Sequence, residues 1–138
     1  MNRSEWKQYI LETYHAVSDR PWPRYPNHEV FRHPGNRKWF ALMMEVPGEK
    51  LGLPDREMLD ILNLKCDPVL IASLQGTPGL LPAYHMNKGN WITAVLDGSA
   101  PDAQIQTLLA MSYDMTAPGR GRTAKKRNEN QAAAARLR

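Results

Sequence analysis

The residues best suited to chemistry in this chain of 138 are one cysteine, four histidines and a set of cations interleaved with tryptophans. Cys66 and His85 would make a nucleophile and its base, the imidazole taking the thiol proton. Such a thiol needs a lowered pKa, which a helix starting at Asp67-Pro68 would favour. Against this, Cys66 keeps step with Leu62 and Leu64 at every second position, the pattern of a small buried residue. No oxyanion-hole glycine motif or third triad member accompanies it. His28, His33 and His85, with Asp60 or Asp67, are the metal candidates. His28-x4-His33 is not a ligand spacing, however, and neither HExxH nor paired cysteines occur. The acids form no obvious pair for glycoside-type work. GxxxxGK[ST] and GxGxxG are both absent, which leaves phosphate-cradling nucleotide sites unsupported. The expectation is a protein that binds rather than catalyses, with no metal and no cofactor.

Two binding surfaces compete. The first is basic and aromatic: Arg32, Arg37 and Lys38 on or beside a first hairpin, Lys65 at a strand end, and His85, Lys88 and Trp91 on a second hairpin. Cations on hairpin tips contact phosphates, and Trp39 and Trp91 would stack on bases or sugars. The bland alternative is cations that simply solvate strand ends. The second surface is an apolar sheet face carrying Trp39, Ala41, Met43, Ile61, Asn63, Lys65, Trp91 and Thr93, with Trp39, Met43 and Trp91 as a partner surface. Here the alternative is that the N-terminal helix or the Pro/Gly loops cover that face. A register error of one residue would exchange the two faces.

Charge sharpens the first reading. The whole chain carries +4, with a pI near 9.4. Residues 117–138 hold five Arg and two Lys against one Glu, a local charge of +6, which leaves −2 for residues 1–116. The basic character therefore belongs to a tail with one large aliphatic, Leu137, and no aromatic. Such a segment cannot bury enough surface to offset its ordering entropy, so a domain over 1–116 and a disordered basic tail over 117–138 are expected. The tail would hold any polyanion with strong salt dependence. No run of 18 apolar residues and no apolar stretch after Met1 suggest a membrane span or a secretory signal. A lone cysteine excludes an intramolecular disulfide framework. Together these point to the cytoplasm.

Trp6, Tyr9, Ile10, Thr13, Tyr14 and Val17 recur at helical spacing, which predicts a helix from Ser4 to Val17 with Ser4 as N-cap. Val30–His33 and Lys38–Val46 flank Pro34-Gly35-Asn36-Arg37 as a hairpin. In the longer strand, Phe40, Leu42, Met44 and Val46 share one face and Trp39, Ala41, Met43 and Glu45 the other. Met58–Cys66 is a third strand. Asp67-Pro68 starts a short helix closed by Gly76. Ala83–Met86 and Asn90–Leu96 flank Asn87-Lys88-Gly89 as a second hairpin. Ser99 and Asp102 resemble a capping box before a last helix marked by Ile105, Leu108, Leu109, Ser112 and Tyr113. The order α-β-β-β-α-β-β-α is that of an antiparallel sheet with helices packed on it, the α+β class.

The runs YPNHEVFRHPGNRKWFALMMEVP (25–47), LDILNLKCDP (59–68) and PGLLPAYHMNKGNWITAVLDGS (78–99) resemble the MmcQ/YjbR family. The likeness covers roughly residues 3–116 and leaves out the tail. It implies a compact CyaY-like or secretion-chaperone-like α+β domain, with no established catalytic activity and no known cofactor. It also implies DNA binding by a double wing, two β-hairpins flanking a helix, which is an analogy of fold. The partners expected are therefore DNA or another polyanion, or alternatively a protein on the apolar sheet face, and no membrane.

Overall fold

The fold is taken from a computed structural model that describes residues 1–54 and 56–119. Six strands form one antiparallel sheet: β1 (Val17–Asp19), β2 (Glu29–Arg32), β3 (Trp39–Pro47), β4 (Met58–Lys65), β5 (Leu80–Pro82) and β6 (Trp91–Val95). Their spatial order is β1-β2-β3-β4-β6-β5. Helices α1 (Arg3–Tyr14), α2 (Pro68–Ser73) and α3 (Asp102–Thr116) complete the α+β domain. Among the described residues no helix is long and apolar enough to cross a membrane.

The sheet has one strand more than the sequence pattern gives. Helix α1 does not reach Val17, because His15 takes the left-handed conformation at its C-cap. The freed residues Val17–Asp19 pair with β2 as an edge strand. At the other end the N-cap is Asn2 rather than Ser4. Its side chain accepts from Glu5 N at 2.9 Å while Glu5 Oε1 accepts from Asn2 N at 2.8 Å, a full capping box. The capping box expected at Ser99 is absent. Ser99 turns to Asp97, Pro101 caps α3, and the Asp102 carboxylate holds the Met1 ammonium at 3.0 Å. Asp67-Pro68 does start α2, with the Asp67 carboxylate accepting from Val69 N at 2.8 Å. The second hairpin joins β5 to β6, and residues 83–86, read as strand from the sequence, belong to its long connection.

A bulge decides which residues face the helices. Phe31 pairs with Ala41 but Arg32 pairs with Trp39, so Phe40 is the extra residue. Alternation then breaks at Phe40. Phe40, Ala41 and Met43 all pack into the helix-side core with Trp6, Ile10, Leu62, Leu64 and Leu109. Trp39 joins Leu42, Met44, Val46, Ile61 and Val95 on the opposite face. The expected grouping of Trp39 with Ala41 and Met43 is corrected accordingly. Ser112 pins the bulge: its hydroxyl donates to Phe40 O at 2.5 Å and accepts from Lys65 N at 2.9 Å.

Candidate functional site

Strand register collects most of the predicted cations at one end of the sheet. Ala41 lies opposite Leu64, and Lys65 opposite Trp91. The start of β3, the end of β4 and the start of β6 therefore share an end, together with the 33–38 turn and the 83–90 connection that precede β3 and β6. Arg37, Lys38, Lys65, Lys88 and Trp91 all fall at this loop end, and Arg37, Lys38 and Lys88 are exposed. The opposite end carries Glu45, Glu49, Glu57, Asp60 and Asp97, with Arg3 paired to Asp60 and Arg56 to Glu49, while the exposed Asp67 lies at the loop end beside Lys65.

Local chemistry shapes both loops. In the first, His33 N bonds Lys38 O and Arg37 N bonds His33 O, each at 3.0 Å, while Arg37 takes φ 65°. Asn36 caps the turn through Lys38 N at 3.0 Å and donates to Thr116 O at 2.9 Å. His33 is buried, with Nε2 2.8 Å from Thr116 Oγ1 and its ring against Tyr113 and Phe40. Burial lowers its pKa and keeps it neutral. In the second loop, Asn87 Oδ1 accepts from Gly89 N at 2.8 Å and Asn90 O accepts from Cys66 N at 2.9 Å. The end of α3 lies here too. A Cβ on Gly35 would stand 3.0 Å from Pro118 Cγ, so the last described residues of the chain lie beside the Arg37 turn. The expected tail from Arg120 onward lies outside the described residues.

Three predicted groups behave differently from expectation. Arg32 is not a free cation: its Nε donates to Asp19 Oδ2 at 3.1 Å, and its guanidinium lies 5.4 Å from the Trp39 ring centre. Trp91 is only 9% exposed and so offers no open stacking face; the Lys65 ammonium lies 5.9 Å from its ring centre. Met43 is fully buried under the helices and leaves the expected partner surface. Trp39, half-buried, remains on the open face.

His85 leaves the cation set for a second feature. The face opposite α1 and α3 holds a groove of about 650 Å³ floored by Leu42, Met44 and Val46. Trp22, Tyr25 and His28 wall it on the β2 side, and Tyr84, His85 and Met86 on the other. The first wall comes from a proline-rich segment folded as successive turns, with Tyr25 N bonding Trp22 O and His28 N bonding Tyr25 O. That spacing of three puts all three rings on one side. The Tyr25 and His28 rings stack at 5.0 Å, and Trp22 meets Trp39 edge-on at 5.7 Å. Burial lowers the pKa of His28. Tyr84 is fixed over a buried polar pair: Asn63 Nδ2 donates to Tyr84 O at 2.9 Å, Tyr84 N donates to Thr93 Oγ1 at 2.9 Å, and the Thr93 hydroxyl donates to Asn63 Oδ1. The cation and alternation patterns pointed to Trp39 and His85 but missed Trp22, Tyr25 and Tyr84. The available signal was W-x2-Y-x2-H within the proline-rich run.

Cys66 and His85 are not brought together. Cys66 is in the helix-side core, where burial pushes its thiol up to about 11, and His85 is on the other face. The three candidate metal histidines are likewise divided, His33 on the helix side and His28 and His85 in the groove. Among the described residues no group of three His, Cys, Asp or Glu side chains is placed to hold a metal.

Known proteins share this fold. The YjbR family model matches residues 11–115. The chain belongs to the YjbR family. The uncharacterized protein YyaQ of Bacillus subtilis is 40% identical over 116 residues, which span 84% of this chain and 98% of that one. The uncharacterized protein YjbR of Escherichia coli K12 is 43% identical over 75 residues, 54% of this chain and 55% of its own. A crystal structure of a Pseudomonas syringae protein superposes with a TM-score of 0.82 at 41% identity, covering 85% of this chain and 100% of that one. The YjbR match over residues 11–115 spans the sheet, both loops and nearly all of α3.

Proposed function

We propose that this YjbR-family protein binds nucleic acid without altering it chemically, in the cytoplasm, through the loop end of its sheet. One observation carries the reading. The register gathers Arg37, Lys38, Lys65 and Lys88 at the end of the domain from which the basic C-terminal sequence continues. A domain of net charge −2 thus presents a local cationic end, and the +6 sequence beyond it adds unspecific attraction. The two loops act as wings that position phosphates, and α2 follows Lys65 at the same end. A second reading, docking of a protein partner on the open sheet face, is favoured by the groove.

The test is DNA binding by the full chain at several salt concentrations. A Lys38→Ala/Lys88→Ala variant is compared with a tail variant, Lys125→Gln/Lys126→Gln/Arg127→Gln. Each lost phosphate contact should lower the slope of log K against log salt by about 0.7–0.9. Unchanged slope and affinity in the wing variant, with loss confined to the tail variant, would sink the wing reading.

A further inference from the structure

We infer that the open-face groove takes unpaired bases of a single strand whose phosphates the loop end holds. The inference rests on the proposed nucleic-acid binding and names the form of nucleic acid. The groove runs along β3 from Trp39, the strand's first residue, to Pro47. That is roughly 26 Å at the usual strand rise, room for several nucleotides.

Trp39 is the hinge between the two features. It begins at the cationic end and forms part of the groove wall. Arg32 lies against its ring, and the Arg32–Asp19 pair keeps both in place. Beyond it the groove offers flat, partly exposed faces rather than charges. Tyr25 is 51% exposed, and stacked on His28 it extends one wall as a platform. Lys50 and Glu45 are the charged residues in the lining.

A lining poor in cations suits bases and leaves phosphates at the rim. Rings with open faces suit stacking, which is worth about 1–3 kcal/mol per base and tolerates any sequence. A duplex cannot use such a groove, because its bases already stack on one another. An apolar peptide would use the floor but has no need of the cations at the groove's mouth.

The experiment is fluorescence anisotropy of a labelled oligothymidylate of about 15 nucleotides, within the site sizes known for single-strand binders, against a DNA duplex of equal length. The full chain, Trp39→Leu and Tyr25→Ala are compared. Tyr25 is exposed, so its variant keeps the test sound if Trp39→Leu fails to fold. We expect the single strand to bind more tightly than the duplex. Each variant should lose roughly 5- to 150-fold on the single strand, with duplex affinity unchanged. Equal loss on both forms, or no loss in Tyr25→Ala, overturns the groove inference and leaves the cationic end standing. Absence of binding to either form overturns both. Displacement of the oligonucleotide by an uncharged amphipathic peptide, with Tyr25→Ala weakening the peptide alone, assigns the groove to a protein partner and overturns the inference.

Discussion

The two faces of the sheet are built from the same strands and finished in different ways. On the helix side, α1 and α3 lay Trp6, Ile10, Ile105 and Leu109 over Phe40, Met43, Leu62 and Leu64, and the interior closes. On the other side the cover is two loops, 20–28 and 83–90. They enclose a smaller apolar cluster and a buried Asn63–Thr93 pair, and leave a groove between them. Helices cover a sheet with continuous side-chain stripes, whereas loops must also satisfy their own backbone groups. Tyr84 shows this, since both its N–H and C=O go to side chains of the sheet. The face with the poorer cover is thus the one that keeps a groove.

This contrast can be broken most directly at its two tryptophans. Trp6→Ala on the helix side should cost about 3–5 kcal/mol, measured by urea denaturation. Trp39→Ala, half-buried at the groove edge, should cost less than half as much. Equal costs would mean that the open face is a full core and not a ligand surface.

A smaller effect is expected at the polar pair beneath Tyr84. Asn63→Ala leaves Thr93 and the Tyr84 carbonyl without their partner, a loss of about 1–3 kcal/mol. The 83–90 loop should loosen with it, which amide hydrogen exchange at Tyr84 would report. Unchanged protection there would show that the loop is held by something other than Asn63.

Next comes pH. Burial lowers the His33 pKa in the folded protein, so its neutral form contributes stability above the unfolded value of 6.5. The unfolded chain takes up the proton first as pH falls below 6.5, and that contribution is lost as pH drops toward the folded pKa. His33→Gln should flatten the pH dependence of Tm between pH 7 and pH 5. An equally steep dependence in the variant would assign the acid sensitivity elsewhere. Smallest of all, Lys88→Ala should change stability by less than about 0.5 kcal/mol, while reducing the salt slope of DNA binding. A large fall in Tm would show Lys88 to be structural.

Much of the framework was legible in the residues. Asp67-Pro68 announced α2, Leu62, Leu64 and Cys66 announced the helix-facing side of β4, and the spacing of Ile105, Leu108, Leu109 and Ser112 announced α3. Each signal is local, set by a cap or a periodicity within a few residues. The cation set was legible as types and only partly as a site. Arg37, Lys38, Lys65 and Lys88 fall at one end of the sheet, while Arg32 is taken up by Asp19 and Trp91 is buried.

Sequence by itself determined the α+β class, the split of charge between residues 1–116 and 117–138, and the buried character of Cys66. Only the tertiary structure decided which face Trp39 joins, because a bulge at Phe40 resets a period of two that no local pattern reveals. It also decided that the proline-rich run and the 83–90 loop meet across β3 to make a groove. Those segments lie more than fifty residues apart, and their encounter depends on strand order, which pairing across the whole sheet fixes.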